Sequence, residues 1–342
     1  MDAIHVKTLL FLLKFGLIKS NLVEGGPRLM KNKNGTRDGR FLIGNSIKRA
    51  HDVPGFRKSV PKKARKSDCQ DTHVKEFFPS GTLPKGLRKD QEGTVLICQQ
   101  KSRYKFRPDK ETYYTTLFDQ VRGIPVYSAY RLRSENMNYE RRCRPTWQEN
   151  KGIKNQVGKD TYPQAPWQRG HLAPAHTLSS DKGAFRSTFR YTNAVPQRPS
   201  FNAGEWSKFE RRIRKYAEVC TKYHNGVLYL LSGTAFVSVD ALVEIDKNEK
   251  VKGVRKGGKI ETRPGEDNYH EIYVPKSLWT AGCCVGTSPP YYAIESFAVI
   301  GNNVNERDEM HTQQISVIIL QKILEQDDLR GEEVSLYPNH PG

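Results

Sequence analysis

Trp167-Gln168-Arg169-Gly170-His171-Leu172 opens a stretch that continues through Tyr191-Thr192-Asn193-Ala194-Val195-Pro196-Gln197 and then Phe201-Asn202-Ala203-Gly204-Glu205-Trp206-Ser207-Lys208-Phe209-Glu210. The first two pieces are short runs bounded by Gly and Pro, and they read as two strands joined by a loop. The third leads into a helix. From Glu205 to Cys220 the apolar residues Trp206, Phe209, Ile213, Ala217 and Cys220 recur at steps of three and four, the stripe of an amphipathic helix. His171 falls near the end of the first strand, Asn202 enters the helix and Glu210 lies about two turns further on. A strand, loop, strand and helix in this order bring His171, Asn202 and Glu210 together.

These three residue types, with the nearby arginines, fit the hydrolysis of a phosphodiester. That reaction needs a base to activate water, a cation for the non-bridging and leaving oxygens, and a cationic side chain for the charge of the pentacovalent state. An imidazole titrates near neutral pH, so His171 can be the base. Asn202 offers a hard oxygen suited to Mg²⁺, and Glu210 can hold the waters of such an ion from outside. Arg169 and Arg214 can hold phosphate. Arg214 lies four residues beyond Glu210, on the same helical face, and can pair with it. Each residue alone has a plainer reading. Asn202 can be a helix N-cap, Glu210 a solvated face residue, and Trp206 a core residue that seats the helix. His176, five residues after His171, has no third ligand at a zinc spacing.

Outward from this stretch, ordered structure is expected from Cys69 and Phe77-Phe78, through a Gly-Thr-Leu-Pro-Lys-Gly turn. Thr94 to Cys98, Ile124 to Arg131, Val227 to Leu231, Glu271 to Val274 and Tyr292 to Val299 are rich in branched and aromatic residues and read as strands. Gln313 to Gln326 reads as a second helix. Lys247 to Lys259 holds six Lys/Arg among glycines and reads as a basic loop. Many strands with few helices predict an α+β domain. The expected organisation is a leader and flexible basic arm over 1–67, one domain over 68–325, and a C-terminal tail over 326–342.

The net charge of +19 favours polyanionic partners, and residues 28–67 account for +11 of it. Few large apolar residues lie in that arm, so it has little to offset the entropy of ordering. Leu9 to Ile18 has the length of a signal-peptide core, interrupted by Lys14, and is too short to span a bilayer. Asn34-Gly35-Thr36 matches a glycosylation acceptor. Cys69, Cys98, Cys143, Cys220, Cys283 and Cys284 show no CxxC spacing. Two or three disulfides and an oxidising, secreted or extracellular location are therefore expected, with buried free thiols as the alternative. Cys283 and Cys284 are too close in sequence for a comfortable mutual bridge.

The Arg-Gly-His signature, the Asn193-to-Gln197 region and the Asn-x3-Trp-x3-Glu helix resemble the DNA/RNA non-specific endonuclease family of the ββα-metal superfamily. Thr116 to Tyr130 and the Cys283-Cys284 pair bring the resemblance nearest to the endonuclease domain-containing 1-like proteins. The resemblance covers roughly residues 68 to 325. It implies an α+β fold with a mainly antiparallel sheet core and a ββα-metal, or His-Me finger, motif. It further implies His171 as general base, Asn202 as direct ligand of Mg²⁺, for which Mn²⁺ can substitute, and Glu210 as holder of metal-bound water. Arg169 and Arg214 match positions that steady phosphate or the transition state, and Asn193 and Gln197 match positions that shape the substrate site. DNA, RNA or both would be the substrate, cut to leave a 5′-phosphate, with no stable protein partner expected. One departure stands out: Gln168 replaces the Asp that commonly precedes the Arg. If that Asp orients its neighbours, Gln can replace it by hydrogen bonding. If its charge tunes the metal site, the chain is an impaired scaffold that binds nucleic acid or other polyanions.

Overall fold

A computed structural model describes residues 69, 74–87, 93–100, 111–133, 145–158, 167–248, 250–256, 261–264, 271–288, 292–327 and 333–338. The basic arm, the signal-like segment, the sequon and Cys143 lie outside the described residues. The strands are β1 Thr94–Gln100, β2 Thr112–Asp119, β3 Ile124–Leu132, β4 Gln168–His171, β5 Ala194–Gln197, β6 Gly226–Ala235, β7 Ser238–Ile245, β8 Val251–Arg255, β9 Thr262–Pro264, β10 Glu271–Tyr273, β11 Ser277–Gly286, β12 Ala293–Asn302 and β13 Gln313–Ile315. The α-helices are α1 Lys182–Ser187, α2 Ser207–His224 and α3 Val317–Asp327. Seven strands form one sheet in the order β1-β2-β3-β6-β11-β12-β13, and every pairing in it is antiparallel.

Side chains alternate across the sheet as strand geometry requires. Tyr130, Leu132, Leu228, Leu230, Leu278, Cys284, Phe297 and Val299 face one layer, which contains Phe201, Trp206, Phe209, Ile213 and Ala217 of the α2 segment. Tyr127, Ala129, Leu231, Trp279, Ala281, Cys283, Ala298 and Ile300 face the other, against Leu320, Ile323 and Leu324 of α3 and against Phe77, Phe78, Leu336 and Tyr337. The helical stripe expected from Trp206 to Cys220 is buried throughout.

Three expectations change. The helix expected over 313–326 divides into β13 and α3, because Gln313 to Ile315 adds an edge strand to β12 before the apolar run begins at Val317. The basic loop at 247–259 includes strand β8, which pairs with β7; a turn closed by the Asp246 carboxylate joins the two. The tail expected from 326 is in part core. Leu336 is fully buried, Ser335 bridges Lys85, and the Tyr337 hydroxyl donates to Ala281 O at 2.9 Å. Among the described residues no helix is long and apolar enough to cross a membrane.

Strand alternation also settles the cysteines. Cys284 faces α2 and bonds Cys220, whereas Cys283 points into the opposite layer and remains a buried free thiol. Cys69–Cys98 ties the N-terminal segment to the edge strand β1. The Cys220–Cys284 bridge closes a separation of 64 residues, for which chain-entropy reasoning gives about 4 kcal/mol. Replacing both cysteines by Ala is expected to lower the unfolding free energy by about 2–4 kcal/mol, read by non-reducing urea denaturation.

Candidate active site

β4 and β5 form a two-stranded hairpin that leads into α2, so the chain builds a ββα unit on the sheet face that carries Tyr130. The register pairs Gln168 with Gln197, Arg169 with Pro196, Gly170 with Val195 and His171 with Ala194. Directly paired residues point to the same side. One side of the hairpin therefore presents Arg169 and His171, and the other presents Gln168 and Gly170. The signature glycine has a steric cause: a Cβ on Gly170 would lie 2.1 Å from Cδ of Gln197, whose side chain packs there.

The linker from β5 to the helix is fixed at its backbone. Asn303 accepts from Arg198 N at 2.8 Å and donates to Pro196 O at 2.9 Å and Pro275 O at 3.0 Å. Phe201 is fully buried and stacks on Trp206, with ring centroids 5.2 Å apart. The helix does not start cleanly. Phe201–Trp206 is a wide turn in which Gly204 leaves helical geometry (φ −95°, ψ −109°) before regular α2 begins. Asn202 sits in this turn and is not an N-cap. Its Nδ2 donates to Gln168 Oε1 at 2.9 Å.

That bond matters for the donor set. It ties down the nitrogen end of the Asn202 amide, so the Oδ1 end is directed away from Gln168 and keeps its lone pairs for a hard cation. Gln197 lies opposite Gln168 and is fully buried, and neither end of its amide has a hydrogen-bond partner among the described residues. Such an amide retains capacity for an ordered water. A neutral oxygen on Asn202 and a carboxyl on Glu210 are donor types that suit a largely hydrated Mg²⁺ or Mn²⁺. Among the described residues no group of three His, Cys, Asp or Glu forms a zinc-type cage.

Glu210 is half-buried, and its carboxyl lies within electrostatic reach of the fully buried Tyr130 hydroxyl. Burial pushes its pKa from 4.5 to about 8, against the pull of Arg214 and Arg211. Arg214 and Arg211 thus attract Glu210 through space. Arg169 and His171 share a neighbour that the sequence reading passed over: the Trp147 ring lies 4.5 Å from the His171 ring and 6.0 Å from the Arg169 guanidinium.

Asn193 takes a different place from the other site residues. It is fully buried, and its Oδ1 accepts from Ala173 N at 2.8 Å and Ser128 Oγ at 3.2 Å. Its Nδ2 donates to Ala173 O at 3.1 Å and Thr188 O at 3.0 Å. All four side-chain positions are used inside the protein, so Asn193 shapes the loop after His171 and has none left for a substrate.

The hairpin that bears His171 leads through the turn that bears Asn202 into the helix that bears Glu210. Residues 97–327 match the sequence profile of the DNA/RNA non-specific endonuclease family, and the chain belongs to that family of hydrolases acting on phosphodiester bonds. Over 59 residues, 17% of this chain, it is 39% identical to the zebrafish (Danio rerio) protein "Nuclease EXOG, mitochondrial" and 36% identical to the human one. The matched stretch spans 17% and 16% of the length of those relatives. Among solved structures it is similar to the EndoG/EndoGI complex, with a TM-score of 0.45 and 17% identity over 64% of this chain and 81% of that one.

Two outcomes are expected from this geometry. Asn193→Ala strands buried backbone groups at Ala173 and Thr188 and is expected to cost roughly 3 kcal/mol in chemical denaturation. The second concerns Glu210, whose folded pKa of about 8 lies above the ordinary 4.5. Its contribution to stability is therefore complete below the unfolded value and is lost as pH rises through the folded one. In EDTA, Glu210→Gln is expected to melt above the wild type at pH 8 and level with it near pH 4, read by thermal denaturation at both pH values.

Proposed function

We propose that this chain is a metal-assisted endonuclease that hydrolyses DNA, RNA or both with little regard to sequence. The observation that carries this reading is the Gln168–Asn202 hydrogen bond at 2.9 Å. It leaves a neutral amide doing the orienting work at the position where the family commonly has Asp. That supports an intact donor set over an impaired one.

In this reading His171 takes the proton of the attacking water, and Arg169 and Arg214 hold the phosphate and offset the charge that grows on its oxygens. Asn202 and Glu210 would hold Mg²⁺ or Mn²⁺, Glu210 through water, and the ion would supply Lewis acidity and stabilise the leaving oxygen. Burial biases Glu210 toward its protonated form against the pull of Arg214 and Arg211, so holding a cation's waters would draw that proton off. Lys208, Arg211, Arg212, Lys215 and Lys222 are exposed along α2. A basic face of this kind supports affinity for the phosphate backbone without base readout.

The finer kinship we propose is with the endonuclease domain-containing 1-like proteins, supported by the Cys283-Cys284 pair and the Thr116-to-Tyr130 stretch. Location in an oxidising, secretory or extracellular compartment is supported by the two disulfides. No stable protein partner is proposed.

The test incubates purified full-length protein with supercoiled plasmid and with structured RNA, in Mg²⁺ or in EDTA, beside His171→Ala and Gln168→Ala. Cleavage that requires both metal and His171 is expected. Gln168→Ala is expected to raise the Mg²⁺ concentration needed for half-maximal rate by about 10-fold or more, the usual cost of losing a ligand's orienting partner. Salt-sensitive binding with no cleavage in Mg²⁺ or Mn²⁺ would replace the enzyme by a polyanion-binding scaffold.

A further inference from the structure

We propose that Trp147 is a positioning residue for His171, fixing the plane of its imidazole and its spacing from Arg169; the proposal rests on the nuclease reading. His171 ends a four-residue strand, and the backbone of such a strand fixes the Cα–Cβ direction while leaving the two side-chain torsions to the surroundings. Here the surroundings are aromatic. The indole of Trp147 lies over the imidazole at 4.5 Å and 36°, and Phe189 meets it edge-on at 4.6 Å and 80°. Walls on two sides, inclined at 60° to each other, restrict both torsions. The same indole carries the Arg169 guanidinium at 6.0 Å. One rigid ring thus serves both side chains on that side of the hairpin.

The indole is itself held from behind. Tyr191 stacks with it at 6.0 Å and 19°, and Phe189 contacts its edge at 5.4 Å. The next residue is bonded to the 189–191 segment on both sides: Gln148 N donates to Phe189 O at 3.0 Å, and Tyr191 N donates to Gln148 O at 2.9 Å. The Arg190 guanidinium donates to Gln148 Oε1 at 3.2 Å. Both walls of the imidazole therefore come from one pair of stitched segments. The segment that carries Phe189 runs directly into Asn193, which clamps the loop after His171. A tryptophan that merely filled the small cluster of Ala175, Phe185 and Phe189 would be replaceable by another large apolar side chain without regard to ring geometry.

The experiment compares Trp147→Ala, Trp147→Leu and Trp147→Phe with the full-length wild type. Cleavage kinetics are read together with the His171 ring protons by NMR, assigned by their loss in His171→Gln. In the wild type the indole's ring current is expected to shift the His171 signals, and the shift is expected to vanish in Trp147→Ala and Trp147→Leu. kcat is expected to fall by about 10- to 100-fold in those two variants with KM nearly unchanged, the scale of a misplaced catalytic group, and to recover in Trp147→Phe. A wild type that cleaves, with Trp147→Leu equal to it in kcat, overturns the positioning role alone. So does a His171 signal that does not move on loss of the indole. A wild type that fails to cleave while its His171 signal is shifted overturns the nuclease reading, and the catalytic role of Trp147 with it, and leaves only the ring stack.

Discussion

Four hydrogen bonds on one buried amide fix the ββα unit, and one of them reaches the sheet. Asn193 binds the loop after His171 through both backbone groups of Ala173, binds the end of the α1 segment through Thr188 O, and accepts from Ser128 on β3. Ser128 is not isolated. It pairs in register with Thr116 on β2 and with Ser232 on β6, and Ser232 pairs with Thr280 on β11. Hydroxyl contacts of 2.9 Å join Thr116 to Ser128 and of 2.8 Å join Ser232 to Thr280, so a polar row crosses four strands beneath the ββα unit. Buried polar groups cost heavily when unpaired, and such a row disfavours any slip of register between strands. The finger is thereby docked in a single position, and with it His171, Gln168 and the turn that carries Asn202.

What could be read from the sequence follows from what each residue faces. The α2 stripe was legible because only one side of that helix is buried. Strands β1, β3, β6 and β12 were legible from their branched and aromatic content. β2 and β11 were not named as strands: β2 is buried at every residue and β11 at all but the last, so neither shows the alternation that marks a half-exposed strand. The same double-sided burial explains the adjacent cysteines, whose opposite fates depend on which layer each one faces.

The candidate site was legible in its residue types and only partly in its geometry. His171, Asn202 and Glu210 were found from spacing within one stretch. Trp147 lies far upstream, and a tryptophan outside a periodic pattern carries no signal that it will meet a histidine across the fold. Asn193 was read as a residue near substrate, yet its full burial follows from contacts with Ser128, Ala173 and Thr188 that no local pattern encodes. Glu210 shows the other side of this economy. A carboxyl placed among buried groups favours its neutral form and lowers stability at high pH, the kind of cost that perturbed groups at candidate sites carry.

The excursion between β6 and β11 leaves and re-enters the sheet at one point. Ala235 and Ser277 are register partners, and Lys276 N donates to Ala235 O at 2.9 Å. Among the described residues the β7–β8 and β9–β10 pairs thus lie between two ends that are already joined by backbone bonds. Lengthening a loop between fixed ends costs little, since each doubling adds only about 0.6 kcal/mol of closure entropy. Closure entropy therefore leaves the excursion's length nearly free, and what constrains it is contact: Val239 and Ile272 are core residues, and Pro275 O holds the Asn303 amide that fixes the linker ahead of Asn202.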